Sequence, residues 1–152
     1  MIDQRHTITR WVSLLYRYGQ MYIGERLKAH GVGKGQHIFL NALYKEDGLS
    51  QEELSSYLKI DKGTTAKALK KLEAQGYVLR QVREEDKRSY RVFLTEKAWL
   101  IKDEVRGVLT DWRHILSDGL TEEEQRLALK LLEKMGDNAA RFNEENDKTP
   151  KA

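Results

Sequence analysis

At Gly76 the apolar residues change period, and that change constrains the fold more than any other feature of the chain. Upstream, in 61-DKGTTAKALKKLEAQG-76, Leu69 and Leu72 share one face of a helix, with Thr65 and Ala68 beside them. Downstream, Tyr77 to Val82 and Ser89 to Leu94 are rich in Val, Tyr, Phe and Leu and follow a period of two. The segment between them, Arg83 to Arg88, is entirely charged and reads as the tip of a β-hairpin. A helix closed by glycine therefore runs directly into a two-stranded ribbon.

The residues before Asp61 extend this unit. Ser50 and Glu53 match a capping box, in which the serine hydroxyl accepts from the third helical amide while the glutamate reaches back. The helix they open is short, with Leu54 and Leu58 one turn apart, and Asp61 is positioned to cap the next. A tight turn around Lys59 to Asp61 joins the two, which is the pattern of a helix-turn-helix. Helix-turn-helix followed by hairpin is the order of a winged helix.

Long helices flank it. From Thr7 to His30 the stripe Ile8, Trp11, Val12, Leu15, Tyr18, Tyr22, Ile23 and Leu27 predicts one amphipathic helix, ended by the glycines of HGVGKG at 30–35. A shorter helix is expected from Gln36 to Lys45, with Ile38, Phe39, Ala42 and Leu43 buried and EDG at 46–48 closing it. Thr95 is a cap for a helix over Glu96 to Leu116. TEEE at 121–124 is a second capping box, opening a last helix through Leu127, Leu131, Leu132, Met135, Ala139 and Phe142. The tail NEENDKTPKA is expected to fray. The fold class is thus mainly α with a small β-hairpin, and 152 residues fit one domain.

Charge distribution points to a partner. Residues 59–91 hold ten bases and five acids, a net +5, whereas the rest of the chain holds 17 bases and 19 acids. A basic patch on a slightly acidic body is the footprint of a face that meets a polyanion. Within it, Lys62, Gly63, Thr64, Lys67, Lys70 and Lys71 occupy the helix face opposite the leucines. Gly63 and Thr64 are small enough for the helix start to approach base edges, where threonine offers hydroxyl and methyl. Arg83, Lys87 and Arg88 carry the hairpin tip toward phosphates or a narrow, electronegative minor groove. Asp86 is placed to hold the Arg88 guanidinium.

Other classes find less support. No apolar run is long enough to span a bilayer, and the first residues lack the pattern of a signal peptide, which makes cytoplasm the expected address. With no cysteine there is no disulfide or thiolate chemistry. No catalytic residue is assigned: His6, His30, His37 and His114 are scattered, HExxH and GxSxG are absent, and KGTT at 62–65 lacks the glycine-rich lead-in of a phosphate loop. No cofactor or metal site is assigned either. The metal alternative would gather His30, His37 and His114 with Glu25 or Asp111, in no recognised ligand spacing. A winged helix used for protein contact is the remaining rival, and salt dependence discriminates it.

The segment DKGTTAKALKKLEAQGYVLR, then Asp86-Lys87-Arg88, then Leu94-Thr95 opening a helix, resembles the multiple-antibiotic-resistance regulator (MarR) family of winged-helix transcription factors. The resemblance covers nearly the whole chain, one domain over residues 1–152. It implies a DNA-binding lobe over about 36–95 and dimerisation helices at about 7–30 and 96–146. It also implies a homodimer on double-stranded DNA at a pseudopalindromic operator, a repressor role and a ligand that relaxes the hold on DNA. DNA contacts would fall to Lys62, Gly63, Thr64, Lys67, Lys71, Arg83, Asp86, Lys87 and Arg88, with Asp86 and Arg88 on the family's wing pattern. A small aromatic or phenolic acid is the ligand class implied, and Arg17, His37 and Tyr44 are the pocket candidates, against simple helix packing and surface. Where the family often has glycine, this chain has Ala98, a better helix former. Trp11, Tyr18, Leu127, Leu131, Met135 and Phe142 are candidates for the dimer seam.

Overall fold

Side-chain hydrogen bonds cap four helix starts, from Ser50, Asp61, Thr95 and Thr121. The computed structural model describes residues 7–86 and 88–147, so Lys87, His6 and the last five residues lie outside it. In order come α1 (Ile8–Leu27), a 3₁₀ turn (Lys28–His30), α2 (His37–Lys45), β1 (Leu49–Ser50), α3 (Gln51–Leu58), α4 (Lys62–Ala74), β2 (Val78–Val82), β3 (Tyr90–Leu94), α5 (Glu96–Leu100), α6 (Lys102–Ser117) and α7 (Glu122–Asp147). The chain divides into two compact units between Trp112 and Arg113, inside α6.

In the first unit the Ser50 capping box forms as expected. Glu53 N–H donates to Ser50 Oγ at 3.1 Å, and the Ser50 N–H donates to Glu53 Oε2 at 2.7 Å. At its other end α3 stops on Lys59, a non-glycine residue in the left-handed conformation (φ 54°). The Ile60 N–H then returns to the Ser55 carbonyl at 3.0 Å, which closes the helix end and turns the chain toward α4. Asp61 caps α4 as expected.

The sheet has the order β1-β3-β2, all antiparallel. Pairs Val78–Leu94, Arg80–Val92 and Val82–Tyr90 fix the register of the hairpin. The two-residue strand β1, pairing Leu49 with Val92 and Ser50 with Arg91, has no counterpart in the sequence reading, because so short a strand shows no period. It is held by Asp47, whose Oδ1 accepts from the Leu94 and Gly48 N–H groups at 2.9 and 3.1 Å. Gly48 has φ +82°, and a Cβ there would lie 2.7 Å from the Phe93 ring. Glycine takes that backbone conformation without strain and leaves the Phe93 ring in place.

The core of this unit gathers Phe39, Leu40 and Leu43 of α2 with Leu54, Leu69 and Leu72 of the helix-turn-helix, closed by Val92, Ala98 and Val105. The expected single helix over 96–116 is broken at Ile101. Ala98 and Ile101 are both buried there, and no glycine or proline marks the break in the sequence. α1 buries only Gly19, Ile23 and Leu27, leaving Trp11 and Tyr18 exposed.

The second unit is the end of α6 followed by α7. The expected Thr121 capping box opens α7, with both reciprocal bonds present at 2.8 and 3.2 Å. Helical structure continues to Asp147, so the first five residues of the tail are helix instead of frayed chain. No described residue of α7 is buried, although Leu127, Leu131, Leu132 and Phe142 lie along it.

Candidate nucleic-acid interface

The start of α4 is built around Asp61. Its Oδ2 accepts from the Thr64 N–H at 2.9 Å and its Oδ1 from the Thr64 hydroxyl at 2.6 Å. The Thr64 hydroxyl, followed by its amide, holds the Asp61 carboxyl below the ordinary carboxylate range. Thr64 therefore spends its hydroxyl proton within its own helix. A Cβ on Gly63 would stand 3.3 Å from Asp61 Oδ2, so the small residue also leaves room for this cap. Lys62, Gly63, Thr64, Lys67, Lys70 and Lys71 are all exposed, while Thr65, Leu69 and Leu72 are buried on the opposite face. Thr65 carries a contact that the sequence reading missed. Ser55 Oγ of α3 donates to Thr65 Oγ1 at 2.9 Å, and Thr65 in turn donates to the Asp61 carbonyl at 2.9 Å. Two hydroxyls ten residues apart, each facing a helix of its own, were the available signal.

At the hairpin tip the Arg83 N–H donates to the Ser89 carbonyl at 3.1 Å, and the Ser89 N–H to the Asp86 carbonyl at 3.0 Å. The Asp86 carboxylate accepts from the backbone N–H of Arg88 at 3.0 Å. It shapes the turn through the main chain, in place of the guanidinium contact expected from the sequence. Arg88, Glu84 and Glu85 are exposed, and Arg83 is half-buried.

Two bases of the charged window are engaged inside the lobe. Arg91 Nη1 donates to the Gly48 carbonyl at 3.0 Å. Arg80 lies between Glu73 of α4 and Tyr90 of β3, with its Nε 3.0 Å from Glu73 Oε2 and its Nη1 donating to the Tyr90 hydroxyl at 3.1 Å. Sequence counting treats these two like the lysines of α4.

The far end of α4 is tied to its surroundings by side chains that sequence reasoning did not assign. Lys97 Nζ donates to the Gln75 carbonyl at 2.6 Å, the Thr95 hydroxyl to the Gly76 carbonyl at 2.6 Å, and Gln75 Nε2 to the Gly31 carbonyl. The Tyr77 hydroxyl donates to the His30 carbonyl.

The proposed pocket residues differ in their surroundings. His37 is buried at the start of α2, and burial pushes its imidazole below the ordinary value. Tyr44 donates its hydroxyl to the Ala98 carbonyl at 2.6 Å, and burial, then Tyr77, raise it to about 12 against the opposing pull of Arg106. Arg17 is exposed on α1. As for the metal alternative, His30 Nε2 lies 2.6 Å from Glu104 Oε2, His114 is exposed in the second unit, and His6 is outside the described residues. Among the described residues, no group of three or more His, Cys, Asp or Glu side chains is arranged to hold a metal ion. Nor, among them, is any helix long and apolar enough to cross a membrane.

Comparison with known proteins gives a consistent set. A family model described as "MarR family" matches residues 30–89. An uncharacterized HTH-type transcriptional regulator of Bacillus subtilis (strain 168), YybA, is 32% identical over 108 residues, which is 71% of this chain and 72% of that protein. A MarR transcriptional regulator from Methanosarcina mazei Go1 is 47% identical and superposes with a TM-score of 0.79, over 89% of this chain and 97% of that one. A putative MarR family transcriptional regulator from Listeria monocytogenes, complexed with 26mer DNA, is 26% identical with a TM-score of 0.87, over 96% and 97% of the two chains.

Proposed function

The chain belongs to the MarR family of helix-turn-helix transcriptional regulators, and from that premise we propose that it is a cytoplasmic, ligand-responsive repressor that binds a pseudopalindromic operator as a homodimer. The observation that carries this reading is the exposure of Lys62, Lys67 and Lys71 on one face of α4, together with an exposed Arg88 at the hairpin tip. The structural neighbour complexed with 26mer DNA supports the same assignment.

In this reading the lobe over 36–95 docks with the start of α4 in the major groove. Lys62, Gly63 and Thr64 face base edges and the adjacent phosphates, and Lys67 and Lys71 neutralise backbone charge. The wing supplies Arg83, Lys87 and Arg88, with Arg88 in the minor groove and Asp86 shaping the turn that presents it. Helices over 7–30 and 96–146 form the dimer, which places two recognition helices about one helical turn apart. The exposed apolar residues of α1 and α7 support that role. A small aromatic or phenolic acid, met by Arg17, His37 and Tyr44, would then bias the lobes away from the spacing that DNA requires.

Selection of bound fragments from random duplex DNA, followed by titration of the selected site against salt, tests the DNA reading. The expected result is a half-site repeat and an affinity that falls steeply as salt rises. Enrichment of no sequence, with docking insensitive to salt, would assign the winged helix to protein contact instead. Release of the selected DNA by benzoate or hydroxybenzoates tests the ligand.

A further inference from the structure

Arg80 belongs to the basic window, yet its guanidinium is used inside the lobe. Its Nε is 3.0 Å from Glu73 Oε2 in the last turn of α4, close enough for an ion pair but off the line of a hydrogen bond. Nη1 donates to the Tyr90 hydroxyl at 3.1 Å, and the guanidinium stands over the Tyr90 ring, 4.8 Å from its centroid. The Tyr90 hydroxyl in turn donates to Gln51 Oε1, the first residue of α3. One line of side chains thus runs from the recognition helix through both strands of the wing to the opening of α3.

That line crosses the hairpin at its middle. Backbone pairing with β1 reaches the wing at Leu49–Val92 and Ser50–Arg91, the level of Arg80, whose own partner across the hairpin is Val92. From Val92 to Arg88 the ribbon reaches roughly 13 Å at the usual rise per residue. A tilt of about 10° at that level would therefore move the tip by about 2 Å, a large fraction of a minor groove about 6 Å wide. Whether α4 and Arg88 meet adjacent grooves of one duplex thus depends on what holds that angle. Only a planar, forked and stacking cation satisfies Glu73, the Tyr90 hydroxyl and the Tyr90 ring together; a lysine has the charge without the shape.

We propose that Arg80 is a positioning residue for DNA recognition: it sets the angle between the wing and the recognition helix and does not contact phosphate. The inference rests on the DNA-binding reading above.

The test uses the full chain on its selected operator fragment, with Arg80→Lys, Arg80→Gln, Tyr90→Phe and Arg88→Ala. Affinity is measured with two footprints: protection of guanine N7 in the major groove and hydroxyl-radical protection in the minor groove under the wing. The expected result is that Arg80→Lys and Arg80→Gln lose affinity alike, roughly tenfold. Both should lose the minor-groove protection and, at saturating protein, keep the N7 protection. Tyr90→Phe, which keeps the ring and removes the hydroxyl, should give the same selective loss to a smaller degree. Adding Arg88→Ala to Arg80→Lys should cost nothing beyond Arg88→Ala alone, because the two act through one contact. Retained affinity in Arg80→Lys with loss in Arg80→Gln would make Arg80 a phosphate contact and overturn the proposal. Parallel loss of both footprints would reduce Arg80 to a general structural role and overturn it as well. If the parent protein protects N7 without any minor-groove protection, the wing assignment itself falls, and this inference with it.

Discussion

Because the Thr64 hydroxyl donates to Asp61 Oδ1, a base edge met by Thr64 in the proposed reading would find its methyl group and acceptor lone pairs, with no free hydroxyl donor. The methyl is the part suited to a thymine C5-methyl group. Thr64→Ser, which keeps the hydroxyl and removes the methyl, is therefore expected to change base preference more than Thr64→Val. Selection from random duplexes reads this directly, and the reverse order would put the hydroxyl back into recognition. His37 carries a pH dependence of its own. Burial lowers its folded-state value below the ordinary 6.5, so the unfolded chain takes up a proton first as pH falls. Its contribution is fully present above 6.5 and is lost as pH drops from 6.5 through the lower folded value. Urea midpoints measured from about pH 7 to about pH 5 should fall less steeply in His37→Asn than in the parent. An unchanged slope would show that His37 does not carry that dependence. The location of both groups was legible in the sequence. What Thr64 gives up to Asp61, and how deeply His37 is buried, were not.

The helix-turn-helix is held as a unit by the step from Ser55 to Thr65 to the Asp61 carbonyl. Thr65→Val keeps the volume of a fully buried side chain, removes its donor, and leaves the Ser55 hydroxyl buried without its acceptor. A loss of about 1–3 kcal/mol is expected, read as a lower urea midpoint at unchanged slope. Retained stability would mean that the hydroxyl pair adds nothing to helix packing. Element starts were readable because capping is local: Ser50 with Glu53, Asp61 with Thr64 and Thr121 with Glu124 each lie within one turn. The strand β1 and the break at Ile101 were not readable. β1 exists through Asp47 and a partner strand more than 40 residues away, and the break joins two buried positions without any helix-breaking residue.

For the molecule as a whole, the exposed apolar residues of α7 are where the proposed dimer is testable. Leu127 and Leu131 are 54% and 47% exposed in the single chain, so glutamate at both positions leaves the fold of one chain intact. In the dimer reading the double variant Leu127→Glu with Leu131→Glu should sediment as a monomer. It should also bind the selected operator far more weakly than a single half-site change does, since the second half-site contact becomes intermolecular. A double variant with unchanged mass would move the seam elsewhere.

Periodicity, capping spacing and composition determined the order of the main helices, the helix-to-hairpin change at Gly76 and the basic window. Each is a property of residues within a turn or a strand of one another. Tertiary structure decided which of those bases remain available. Arg91 is bound to a carbonyl 43 residues away, and Arg80 is held between Glu73 and Tyr90. A sequence counts charges; only the packed chain sets which of them have a partner already in place.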